Sequence, residues 1–178
     1  MMQMTATRAR AGFTFLAYAL LGSAVMAASA QITLPMWPVP ATLQSLAVLL
    51  IGALGGPRLG AAALLAYLAE GAMGLPVFAG GAAGPAALMG PTAGFLAGFV
   101  LSAWLAGFTP RAGLLRQGGV LLAAHLAMFV PGVLWLSGFV GLERALMVGF
   151  VLFIPGTVVK TALALATLRA TQGTLRRA

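Results

Sequence analysis

Pro155-Gly156-Thr157-Val158-Val159-Lys160-Thr161-Ala162-Leu163-Ala164-Leu165-Ala166-Thr167-Leu168-Arg169 decides how this chain is read. The stretch is predominantly apolar, lacks any acidic residue, and holds the chain's only lysine. Proline suits the first helical position, where its missing N–H is not needed, and breaks hydrogen bonding inside a helix. A spanning helix is therefore expected from Pro155 to Arg169, after a surface-lying stretch from Leu142 to Ile154. A start at Arg144 is the alternative. Lys160 then sits five residues in, about 7.5 Å below the helix end at 1.5 Å per residue. A cation placed at the bilayer centre costs roughly 2.5–3.5 kcal/mol, so an intramembrane lysine is by default a functional residue. Thr157, three residues earlier, lies on the same face.

The rest of the chain agrees with a membrane setting. Of its 178 residues, 61% are hydrophobic and only 7% charged, and the mean hydropathy is +1.04. A soluble domain of this size has too little interior to bury so much apolar surface, so lipid must cover the rest. The net charge of +8 does not indicate a nucleic-acid binder, because the basic residues punctuate apolar runs and form no solvated face. With no cysteine, disulfides, thiolate metal sites and a cysteine nucleophile are excluded.

Spanning helices need on the order of 20 apolar residues, fewer where protein surrounds them. Six candidates run from Ala11 to Ile32, Ala41 to Leu54, Pro57 to Met73, Pro91 to Phe108, Gly118 to Leu136, and Pro155 to Arg169. The first, with Arg8 and Arg10 before it and Ala28-Ser29-Ala30 at its end, imitates a secretory signal peptide. Its length, and the apolar segments after it, favour an uncleaved helix. Cytoplasmic loops collect arginine and lysine. With both termini inside, Arg8, Arg10, Arg58, Arg111, Arg116, Arg169, Arg176 and Arg177 are cytoplasmic, and only Arg144, beside Glu143, lies outside. The expected fold is an all-α integral membrane protein forming a single domain over residues 1–178.

Pro35, Pro38, Pro40, Pro76, Pro85 and Pro91 fall in the two outward connections, between helices one and two and helices three and four. Irregular backbone at membrane depth is tolerated only beside a cavity or inside protein. These connections read as lids over an outward pocket, or else as ordinary surface loops.

Several polar residues remain to be placed. Gln44, with Thr42 and Ser45 beside it, needs a partner on a neighbouring helix or on a ligand, because an amide both donates and accepts. Trp37, Tyr67 and Phe78 lie near the outer surface, where an aromatic belt would also put them. Lys160 has the alternatives of snorkelling to headgroups or pairing with Glu70 or Glu143. His125 has no acidic or histidine neighbour at helical spacing and reads as a packing histidine. Small residues at four-residue spacing in the first helix, Ala19, Ser23 and Ala27 with Ala24 and Ala28 alongside, permit close helix approach, within the protein or against another chain. No Walker A loop, HExxH motif or GxSxG elbow is present, so an enzyme is not expected.

The segments Gln31-Ile32-Thr33-Leu34-Pro35, Pro38-Val39-Pro40-Ala41-Thr42-Leu43-Gln44 and Gly55-Gly56-Pro57-Arg58-Leu59-Gly60 resemble the BioY family. So do Tyr67, Gly74-Leu75-Pro76-Val77-Phe78-Ala79-Gly80-Gly81, Gly90-Pro91-Thr92-Ala93-Gly94-Phe95 and Pro155-Gly156-Thr157-Val158-Val159-Lys160, in family order. These proteins are biotin-binding S components of energy-coupling factor (ECF) transporters. The resemblance implies a six-helix cell-membrane subunit that binds biotin from outside through Gln44, Tyr67, Phe78, Gly80, Gly81, Thr157 and Lys160. It also implies separate partners: a transmembrane coupling protein (the T component) and ABC-type ATPases. Docking to the coupling protein would use the small-residue face of the first helix, Ala19, Ser23, Ala27, Ala24 and Ala28. The family's last-helix motif usually reads Pro-Gly-Asp-x-x-Lys. Here Thr157 replaces the Asp, which leaves Lys160 without a carboxylate at three-residue spacing. The alternatives are an S component for another vitamin, a stand-alone carrier, or a structural membrane subunit without a ligand.

Overall fold

The computed structural model describes residues 2–175, with side chains described from residue 10 to residue 173. Arg176, Arg177 and the side chain of Arg8 lie outside that description. Helix α1 (Met2–Gln31) leads into a short antiparallel hairpin of β1 (Thr33–Leu34) and β2 (Ala41–Thr42), with Thr33 opposite Thr42 and Leu34 opposite Ala41. Next come α2 (Gln44–Ala72), a connection with a 3-10 turn at Ala79–Gly81 and the single-turn α3 (Gly84–Ala87), and α4 (Ala93–Ala106). The chain ends with α5 (Leu114–Ala127), α6 (Phe129–Val140), α7 (Leu142–Gly149), a 3-10 turn at Val151–Phe153, and α8 (Ile154–Leu175).

Helix α2 holds two of the expected spans. Gly56, at φ 81° and ψ 171°, occupies a backbone region that side-chain-bearing residues avoid, and Pro57 then restarts the helix. A straight helix would hold Gln44 and Tyr67 about 35 Å apart, yet their side chains are hydrogen bonded at 2.8 Å. The segment therefore doubles back at Gly56, and α2 crosses the membrane twice. The six spans are α1, the two halves of α2, α4, α5 with α6, and α8.

Helix α4 wedges against both halves of α2. A Cβ at Gly52 would meet the Ala103 carbonyl oxygen at 2.2 Å, and one at Gly60 would meet it at 3.0 Å, so only glycine allows so close an approach from both sides. Residues along α4, including Phe95, Phe99 and Ala103, join the apolar core with Leu64, Tyr67, Phe129 and Leu136. Outward faces are apolar as lipid requires: Val158 and Val159 are 59% and 58% exposed, whereas Thr157 on the same helix is 5% exposed.

The fifth span begins at Leu114 and runs to Val140, longer at both ends than the expected Gly118 to Leu136. Its hydrogen-bond ladder is interrupted at Met128, whose dihedrals stay helical at φ −66° and ψ −26°, because Pro131 has no N–H to give the carbonyl four residues earlier. Phe150, at φ −132° and ψ −61°, separates α7 from the 3-10 turn before α8. The last span accordingly starts at Ile154 with Pro155 in its first turn, and the alternative start at Arg144 is overturned.

Two expectations involving α1 and its neighbours are corrected. Ala19 and Ser23 are buried, at 3% and 0% exposure, and Ala27 is half-buried, because that face packs on the second half of α2, where a Cβ at Gly22 would meet the Ala63 side chain at 2.7 Å. Ala24 and Ala28 stay exposed. Glu70 does not pair with Lys160: its carboxylate accepts a hydrogen bond from the Ser23 hydroxyl, joining α2 to α1.

Candidate ligand-binding site

Beneath the two outer connections lies a cavity with two lobes. Val39, Pro40, Thr42, Phe95 and Phe99 line both. The larger lobe, about 260 Å³, adds Gln44, Phe78, Ala79, Ala82, Gly90 and Thr92 among its walls. The smaller, about 50 Å³, adds Ser45, His125, Phe129, Phe153, Thr157 and Lys160. The proline-rich connections are thus lids in the sense expected: Val39 and Pro40 come from the first, Ala79 and Ala82 from the second.

Lys160 reaches from α8 into the smaller lobe. Its ammonium donates to the Thr42 carbonyl oxygen at 2.5 Å and the Ser45 hydroxyl at 3.2 Å. Among the described residues no carboxylate pairs with it, so lid backbone and a hydroxyl compensate the cost of the buried cation. Thr157 lines the same lobe, as the three-residue spacing required. Its hydroxyl donates to the Phe153 carbonyl at 2.9 Å and retains only acceptor capacity toward the cavity.

Gln44 finds its partner on a neighbouring helix and also faces the larger lobe. Its carbonyl accepts from the Thr42 hydroxyl at 3.0 Å, and its amide N–H donates to the Tyr67 hydroxyl at 2.8 Å. Tyr67 in turn donates to the Val77 carbonyl at 3.1 Å. This chain of bonds runs from the foot of the first lid, through both halves of α2, to the start of the second lid. Tyr67 is completely buried and is absent from the cavity wall; it orients Gln44 and packs edge-on against Phe78, with ring centroids 5.3 Å apart. Phe78 does line the larger lobe, and its carbonyl accepts from the Gln31 amide at 3.2 Å.

Gly80 and Gly81, at φ 68° and 74°, form an exposed turn. They do not line either lobe, but their left-handed conformation closes the turn that brings Ala79 and Ala82 to the wall. Trp37, at the tip of the first lid and 74% exposed, lies under the Arg144 guanidinium, 5.5 Å from its ring centroid, so α7 touches the lid from outside.

Residue-type reasoning missed Val39, Phe95, Phe99 and the cavity-facing role of His125. Phe95 and Phe99 stand four apart on α4, a spacing visible in sequence that marks a buried face without distinguishing core from cavity.

The crystal structure of an S-component for biotin from an ECF-type ABC transporter superposes on this chain with a TM-score of 0.81 at 25% identity, covering 92% of this chain and 93% of that one. The class is thereby defined: a multi-pass membrane protein with the fold of an ECF S component. A probable biotin transporter BioY of Pyrococcus horikoshii is 37% identical over 154 residues, 84% of this chain and 91% of the relative. A biotin transporter BioY of Thermotoga maritima is 36% identical over 151 residues, 80% of this chain and 86% of the relative. The BioY family profile matches residues 2–177, and the chain belongs to the BioY family.

Proposed function

We propose that this chain is the biotin-capturing S component of an ATP-driven importer, loaded from the outer side. The observation that carries the reading is the lidded two-lobed cavity with Lys160 in its wall, in a member of the BioY family. Its volume lies near the lower end of the roughly 300–1,000 Å³ typical of small-molecule sites. Biotin's carboxylate and ureido carbonyl want donors, its ureido N–H groups want acceptors, and its fused rings want an apolar wall. Lys160 and the Gln44 amide supply donors. Hydroxyls of Thr157 and Ser45 supply acceptors, and Phe78, Phe95, Phe99 and Val39 supply the wall. Tyr67 and the Gly80-Gly81 turn serve by holding Gln44 and the second lid in place.

In this reading a separate coupling protein and ABC-type ATPases drive transport, since the chain has no phosphate-binding loop of its own. Of the five small residues on α1, Ala24 and Ala28 remain on the outer face and are the two available for docking to the coupling protein. Ala24→Trp is expected to abolish co-purification with that protein while leaving biotin binding intact.

The decisive experiment is equilibrium binding of biotin to the purified protein. Retention in the nanomolar range, with thiamine and riboflavin failing to compete, is expected. The absence of saturable biotin binding would sink the reading.

A further inference from the structure

We propose that His125 is a ligand-binding residue, donating a hydrogen bond beside Lys160 to an oxygen atom of the captured ligand; the inference rests on the ligand-capture reading above. His125 is 1% exposed and lies in the wall of the smaller lobe with Lys160 and Thr157. Its Nδ1 is 2.8 Å from the Thr161 hydroxyl, and its ring stacks on Phe129 at 6.3 Å and 14°. Those two contacts fix the imidazole in position and rotation. Nε2 has no hydrogen-bond partner among the described residues. Ser102 Oγ is the one fully enclosed side-chain nitrogen or oxygen found without a partner among them, so Nε2 is open to the cavity.

The direction of the Thr161 bond determines what Nε2 offers. Thr14, Thr157 and Thr171 each donate to the carbonyl four residues back in the chain. Thr161 does not, and its hydroxyl meets His125 Nδ1 instead; we assign the hydroxyl as the donor of that bond. A hydroxyl donating to Nδ1 leaves the imidazole proton on Nε2. The smaller lobe thus presents an N–H from α5 and an ammonium from α8, the latter a donor only. Two donors converging on a lobe of about 50 Å³ suit a small acceptor, a carbonyl or carboxylate oxygen. Biotin carries such an oxygen at each end.

The test is biotin affinity of the purified full-length protein and of three variants, with size-exclusion elution and thermal unfolding as the fold controls. His125→Phe keeps the ring and removes the donor, His125→Asn keeps a group toward Thr161 and falls short of the lobe, and His125→Gln places an amide N–H near the Nε2 position. The Phe and Asn variants should bind about tenfold more weakly, as loss of one buried hydrogen bond requires, and the Gln variant should stay within about threefold of the parent. The His125→Phe penalty should vanish with one of two analogues: the thione that replaces the ureido oxygen, or the compound ending in methyl in place of the carboxylate. Whichever it is identifies the oxygen that His125 meets. Parent-like binding by His125→Phe, a Gln variant as weak as the Phe variant, or a penalty that persists with both analogues would overturn the role. If the parent protein itself fails to bind biotin, the proposed function falls first and this inference falls with it.

Discussion

Replacing Lys160 by Met separates ligand binding from folding. The ammonium has three protons, and two are committed to Thr42 and Ser45, so the third is free for a ligand oxygen without breaking a bond already made. A hydrogen bond from a charged donor contributes roughly 1.5–3 kcal/mol, which at about 1.4 kcal/mol per tenfold predicts biotin affinity about 10- to 150-fold weaker. On the folding side, the Met variant gives up the two protein bonds. It also avoids the roughly 2.5–3.5 kcal/mol that a cation costs within the bilayer. These terms oppose one another, and the apolar side chain fits among Phe153, Phe129 and Phe99, which line the same lobe. The variant should therefore stay folded and elute as the parent does. Binding of radiolabelled biotin in detergent, with thermal unfolding measured on the same samples, decides it. A folded Lys160→Met protein that binds within about threefold of the parent would refute the assignment of the third proton to the ligand.

Three further outcomes are expected. Tyr67→Phe strands the Gln44 amide and the Val77 carbonyl, both bonded to the lost hydroxyl; a buried group left unpaired costs about 1–3 kcal/mol, and the unfolding temperature should drop together with biotin affinity, whereas an unchanged unfolding temperature would contradict the network. Gly52→Ala drives a methyl into the Ala103 carbonyl and should destabilise by about 1–3 kcal/mol, while Gly119→Ala, with nothing within 4 Å, should be neutral or stabilising by up to about 1 kcal/mol; equal effects at the two sites would refute the wedge. Trp37→Ala removes the contact with Arg144, an exposed cation–π pair of about 0.5–1 kcal/mol, so biotin should dissociate about two- to fivefold faster in a chase experiment, and an unchanged off-rate would show that this contact does not hold the lid.

Much of the architecture is legible in the sequence for identifiable reasons. Arginine positions indicate a sidedness for the loops, Gly56-Pro57 marks the hairpin between the two halves of α2, and the prolines mark the lids. Contact across long sequence separation escapes. Lys160 holds the backbone carbonyl of Thr42, and any residue type would supply a carbonyl there, so no motif could announce it. The small-residue face of α1 is ambiguous in sequence because alanine and serine serve internal packing and docking equally well; the packing of Ala19 and Ser23 against α2 emerges only once the hairpin at Gly56 is built. His125 looks isolated in sequence because helical spacing searches its own helix, while its partner Thr161 stands on α8.

Thr42 ties the first lid to both the lysine of the smaller lobe and the second lid. Its carbonyl is held by Lys160 and its hydroxyl by Gln44, so one residue at the foot of the first lid is fastened to α8 and, through Tyr67, to the carbonyl of Val77 where the second lid begins. Moving the first lid outward as a unit with β2 must break the ammonium bond to Thr42 or stretch the Gln44 chain. A ligand oxygen that takes the third proton of Lys160 would leave both intact. The same geometry explains the two unequal lobes. In the proposed function the larger lobe takes the apolar body under Phe78 and Phe95 and the smaller lobe takes the polar group.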